Sequence, residues 1–153
     1  MRGILKGLGI AAAAVGSLLF ASGPASADVL WQPWVAPSDY TCARSKPHEK
    51  SNYVFFQTCI IHGSGKNMQA VLIVSNTSDK TINIYGQVFA GWDSSGDYSY
   101  CKFDSLAPGS RKSCFGASSN GRIGANTAYS IFYMNGQTSA DGTQSNTATY
   151  YLY

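Results

Sequence analysis

The chain has 153 residues, of which 44% are hydrophobic and only 12% charged, and it carries a formal net charge of +3. That length fits one domain, since a domain typically takes roughly 100 to 200 residues. So few charges exclude a charge-rich disordered chain or a coiled coil, and a surplus so small and scattered excludes a polyanion-binding surface of the nucleic-acid type.

Residues 1–27 read as a secretory signal peptide. Arg2 and Lys6 supply its positive end, residues 10–20 its apolar run, and Ala25-Ser26-Ala27 after Gly23-Pro24 its cleavage site. Cleavage before Asp28 is predicted, leaving a single secreted, extracellular domain over residues 28–153. The apolar run is shorter than the roughly 18 to 20 residues of a membrane span and has no counterpart downstream, so no span is expected in the mature chain. Nor does a Cys near the cleavage site offer an attachment point for lipid. Without Arg2 and Lys6, nine basic side chains face eight acidic ones, and the working chain is nearly neutral.

Beyond residue 28, helix signals give way to strands. Residues 52–61 are rich in aromatic and β-branched side chains, and residues 69–74 form an apolar run suited to a strand buried on both faces. After the turn at 76–80, residues 81–92 place Ile82, Ile84, Val88, Ala90 and Trp92 on one face at period two. The turn at 93–97 leads to strands at 98–104 and 110–115, and another strand is predicted at 127–134. Residues 135–146 contain one Ala and no other apolar side chain, which reads as a loop or mobile arm, and 147–153 returns as a strand. Seven or eight short strands at roughly ten-residue spacing predict an all-β, antiparallel sandwich or barrel, of which the two-sheet sandwich is the reading adopted.

Four cysteines, Cys42, Cys59, Cys101 and Cys114, are an even number in an exported chain and predict two disulfides. Three pairings are formally possible. Cys101 and Cys114 flank Leu106-Ala107-Pro108-Gly109, whose Pro-Gly suits a type II turn. A hairpin folded there would set these two cysteines opposite each other in one sheet, within disulfide reach; Cys42 then pairs with Cys59 by elimination.

Residues 70–115, with Val-Leu-Ile-Val-Ser-Asn-Thr-Ser-Asp-Lys-Thr-Ile-Asn-Ile-Tyr-Gly-Gln-Val-Phe and the later Leu-Ala-Pro-Gly, resemble immunoglobulin-like domains of the FxLYD type from bacterial exported proteins. The likeness covers about a third of the mature chain. It implies an immunoglobulin-like β-sandwich, and Gln87-Val88-Phe89-Ala90-Gly91-Trp92-Asp93 stands where the family carries Phe-x-Leu-Tyr-Asp. The whole chain also resembles small exported proteins of actinomycetes, a likeness that implies no activity.

Asp93, Ser95, Asp97 and Asp104 have the spacing of a calcium loop, but Tyr98 occupies its glycine position and a strand follows where a helix should, so a solvated turn is expected. His62-Gly63-Ser64-Gly65 lacks a nucleophile-elbow context and an acid partner, and reads as a turn. Paired cysteines supply neither a thiolate nor zinc-ligand spacing. No catalytic residue, metal or cofactor is therefore expected, and the chain reads as a non-catalytic binding or interaction module. Its candidate binding face combines Tyr98 and Tyr100, on the strand face opposite Cys101 and Phe103, with Arg44, Lys46 and Lys50 of a loop that also holds His48. Rings with hydroxyl tips stack on sugars or anchor proteins, so the expected partner is cell-wall carbohydrate or an extracellular protein. The alternative is an extracellular inhibitor of a hydrolase such as a protease.

Overall fold

Strand-forming residues alternate through most of the chain, and the computed structural model, which describes residues 29–138 and 141–153, is built almost wholly from β-structure. The signal-peptide assignment to residues 1–27 lies outside the described residues. The strands are β1 (Gln32–Pro33), β2 (Tyr40–Cys42), β3 (Lys46–His48), β4 (Ser51–His62), β5 (Asn67–Asn76), β6 (Ile82–Ala90), β7 (Tyr98–Leu106), β8 (Arg111–Asn120), β9 (Gly124–Met134), β10 (Thr143–Gln144) and β11 (Ala148–Leu152). The seven long ones are those the sequence predicts. β1, β2, β3 and β10, of two or three residues each, are additions.

Two antiparallel sheets result. The first runs β1-β8-β5-β4-β2, with β3 also on β4; the second runs β10-β9-β6-β7, with β11 also on β9. Their inner faces interdigitate through Phe56, Ile60, Leu72, Ile84, Val88, Leu106 and Phe132, all at most 2% exposed. β5 is buried on both faces from Ala70 to Val74, as its unbroken apolar run requires. The close approach of the sheets explains Gly86 on β6, where a Cβ would stand 2.5 Å from Leu72 Cδ2 on β5. Asn76 ends β5 fully buried: its amide donates to the carbonyls of Lys80 and Leu106, and its Oδ1 accepts from Ser78.

Both disulfides form as paired above, but the Cys101–Cys114 bridge does not have the cross-strand geometry expected of it. Cys42 and Cys59 are the pair directly opposite across neighbouring strands, β2 and β4. Cys101 and Cys114 join the two sheets, because β7 pairs with β6 and β8 with β5. The predicted hairpin between them is corrected to a connection that crosses the sandwich. Its Ala107–Ser110 turn has Gly109 at φ 69° and a Ser110 N–H bond to the Ala107 carbonyl, as the Pro-Gly pair predicts. The turn reverses the chain, while burial of both Leu106 and Cys114 between the sheets sends β8 to the opposite layer. An ion pair from Lys112 on β8 to Asp104 on β7 closes the same flank.

The N-terminal segment wraps the first sheet. Val29 makes a parallel bridge to Cys101 on β7, and the Trp31 indole donates to the Lys102 carbonyl. β1 then lies along β8 at one edge of the first sheet, and β2 along β4 at the other. Residues 34–39 must therefore cross its outer face. Four interstrand spacings come to roughly 19 Å, within the about 24 Å that the seven steps from Pro33 to Tyr40 can span. Trp34 packs on Phe115 and edge-on to Tyr40, sealing a second apolar cluster of Cys59, Val71 and Ile73.

Candidate functional site

The outer face of the second sheet carries a different side-chain set. β6 turns Tyr85, Gln87 and Phe89 outward between inward Ile84, Gly86 and Val88. Strand register extends each into a row: Gln87 lies between Tyr100 on β7 and Ile131 on β9, Phe89 between Tyr98 and Tyr129, and Tyr85 opposite Tyr133. The third row is completed by Phe103. The β6–β7 register shifts between Ile84 and Gly86, and this bulge turns Phe103 outward onto Tyr85, with ring centroids 4.7 Å apart and nearly parallel. Phe103 was expected on the buried face with Cys101; it is instead 73% exposed.

Seven of these nine positions are aromatic, although Tyr133 is only 3% exposed, and the exposed Lys102 stands on the same face because the bulge sets it, with Phe103, opposite Tyr85. Phe89 contacts both Tyr98 and Tyr129 at centroid distances of 5.4 and 4.8 Å, and the two phenol hydroxyls share a hydrogen bond of 2.6 Å. That bond, with burial second, pushes the Tyr129 phenol up to about 12. Burial likewise raises Tyr133, whose ring lies over the backbone of Gly142; a Cβ there would come within 2.4 Å of Tyr133 and 2.5 Å of Ile131. Both shifts favour the neutral phenol. Tyr100 and Phe103 are its most open rings, and Thr127, Thr149 and Tyr151 continue it toward β11.

The predicted candidate residues are not all brought together. Tyr98 is half-buried within the aromatic rows and Tyr100 is 40% exposed beside it. Arg44 and Lys46 lie across the molecule from β7, next to β10: the Lys46 ammonium donates to the Gln144 carbonyl, and the Asn146 amide to the Arg44 carbonyl. Lys50 is exposed beyond β3. His48, expected in the same surface loop, is instead 2% exposed, wedged against Phe56 and Phe132. Its Nδ1 accepts the Lys50 backbone N–H, and burial outweighs the nearby Glu49 carboxylate to lower its pKa below 6.5. It is a neutral core residue.

Sequence reasoning missed Tyr85, Phe89, Phe103, Tyr129 and Tyr133. Period-two alternation groups Tyr85 and Phe89 with Gln87 on β6, and Tyr129 with Tyr133 on β9, whereas register joins the two sets and Phe103 depends on the bulge. His62, read above as part of a turn, stacks its ring on Tyr150 at 3.9 Å. Among the described residues no group of three or more His, Cys, Asp or Glu is placed to hold a metal ion, and no helix is long and apolar enough to cross a membrane. No protein-family model, curated protein or solved structure matches the chain.

Proposed function

We propose that this is an exported, non-catalytic binding module with an immunoglobulin-like sandwich, acting at or outside the cell surface through the outer face of its second sheet. Lettering the long strands in chain order as A (β4), B (β5), C (β6), C′ (β7), E (β8), F (β9) and G (β11) gives sheets A-B-E and C′-C-F-G. That arrangement supports the immunoglobulin-like reading and the resemblance over residues 70–115. The disulfide between C′ and E, in place of the B–F bridge of antibody domains, is a departure from the type. Two disulfides suit an oxidising, extracytoplasmic setting.

The observation that carries the binding role is the concentration of six partly or largely open rings on one outer face, where strands of a sandwich normally turn polar side chains to water. The mature chain is expected to be retained on intact bacterial cell walls, with retention lost in Phe103→Ala and Tyr100→Ala. Both side chains are open enough for truncation to leave the fold standing. Equal retention of wild type and both variants overturns the reading.

A further inference from the structure

We infer that the outer edge of β11 pairs with β11 of a second copy of this chain, antiparallel and about a twofold axis at Tyr150. The backbone of β9 shows which groups are on offer. The Gly91 N–H donates to the Thr127 carbonyl and the Ser145 N–H to the Ser130 carbonyl, so odd-numbered residues of β9 face β6 and even-numbered ones face the opposite side. Ala128 with Ala148 and Asn126 with Tyr150 are then the pairs that exchange hydrogen bonds. Thr149 and Tyr151, which alternate with them, turn N–H and C=O away from β9, and no described residue bonds to those groups.

The other edges of this sheet are covered. On β7 the Tyr100 carbonyl accepts from the Val29 N–H and the Lys102 N–H donates to the Val29 carbonyl, while the Lys102 and Ser105 carbonyls accept from the Trp31 indole and the Lys112 ammonium. On β10 the Gln144 carbonyl accepts from Lys46. β11 is the edge strand of this sheet that meets no such cover among the described residues, and an uncovered edge is a template for another strand.

The sequence of β11 suits a copy of itself. A twofold axis at Tyr150 sets Thr149 opposite Tyr151 of the second copy, and each such pair exchanges both of its N–H···O bonds. The side chains of Thr149 and Tyr151 are exposed, and a β-branched residue beside an aromatic ring is a favoured cross-strand pair. Neither β11 nor residues 124–128 of β9 carry a charge, so like charges do not face each other, and the axis sends the two copies of Arg122 to opposite ends. The contact is isologous and consumes both edges, so assembly closes at two copies. Because Thr149 and Tyr151 lie on the outer face, the two aromatic faces join into one surface.

The test is sedimentation of the mature chain. A contact through one short strand is small and therefore weak, so the mean mass should rise from that of one copy toward that of two between about 10 µM and about 1 mM. Amide exchange at Thr149 and Tyr151 should slow over the same range. Thr149→Pro withholds one outward N–H, leaves the bonds to β9 in place, and should weaken association at least about tenfold. Thr149→Lys with Tyr151→Lys opposes like charges in both pairs and should abolish it, whereas Thr149→Lys with Tyr151→Glu opposes unlike ones and should restore it. Melting temperatures should show every variant folded. A mass of one copy at all concentrations leaves the edge to an extended segment of another protein and overturns the inference. So does growth past two copies, or a dimer indifferent to Thr149→Pro and to the paired lysines. Equal loss in both charge variants refutes the register at Tyr150.

Discussion

The two outer faces of the sandwich begin from similar material and end differently. The first sheet presents Val71, Ile73, Phe115 and the Cys42–Cys59 bridge, and the chain lays its own residues 34–39 over them, with Trp34 as the plug. The second presents seven rings that pack on one another, of which Tyr133 is buried against the Gly142 backbone and the other six are partly or largely open. Burial under a strap makes apolar surface a source of stability. Rings left half in water contribute less to stability and remain available to a ligand.

This contrast can be broken experimentally. Trp34→Ala should destabilise the protein by about 3 kcal/mol, in the range of large aromatic truncations, seen as a lower melting temperature and new binding of a hydrophobic dye. Phe103→Ala on the other face should change stability by less than about 1 kcal/mol. Equal costs would erase the distinction between covered and open faces. Replacing Cys42 and Cys59 by Ser should also cost about 3 kcal/mol, for a 17-residue separation, and should accelerate hydrogen exchange selectively in residues 34–42. Exchange rising equally in β6 and β9 would show that the strap is not an independent cover.

Smaller effects depend on pH. His48 has its folded pKa lowered by burial, so the unfolded chain takes up the proton first as pH falls. Its contribution is intact above about pH 6.5 and is lost as pH drops through and below that value. The melting temperature of His48→Gln should vary less between about pH 7 and 5 than that of wild type. On the open face, Tyr129 with its pKa near 12 stays neutral while an unfolded tyrosine ionises near 10, so its contribution is present below about pH 10 and fades from there toward 12. Tyr98→Phe removes the hydrogen bond, and a phenolate titration by ultraviolet absorbance should then find Tyr129 closer to 10.

Much of the β-framework is legible in the sequence because its long strands carry clean signals: the five-residue buried run at Ala70–Val74, the alternation of Ile82, Ile84 and Val88, and the Pro108–Gly109 turn. What escapes is set by tertiary contacts. A turn specifies reversal of direction but not the layer in which the returning strand lands, so the cysteine pairs were legible and the inter-sheet geometry of Cys101–Cys114 was not. Phe103 turns outward at a bulge in β7, a strand with no glycine of its own to mark it. His48 has exposed charged neighbours in sequence, yet the register shift between Pro47 and His48 accompanies its placement among Phe56 and Phe132. The aromatic face is half legible: alternation groups its β6 and β9 members, whereas their alignment across three strands comes only from register.

The short strands at the margins of the first sheet have a further consequence. A sheet with bare margins can grow by recruiting strands from other copies of the chain. Here the outermost segments are β1, which ends in Pro33, and the β2 and β3 pieces beside β4, of which β3 holds Pro47. Proline has no N–H to offer an incoming strand. The same stretches that clothe one face thus also work against fibrous assembly, which matters for a chain that leaves one aromatic face open to its surroundings.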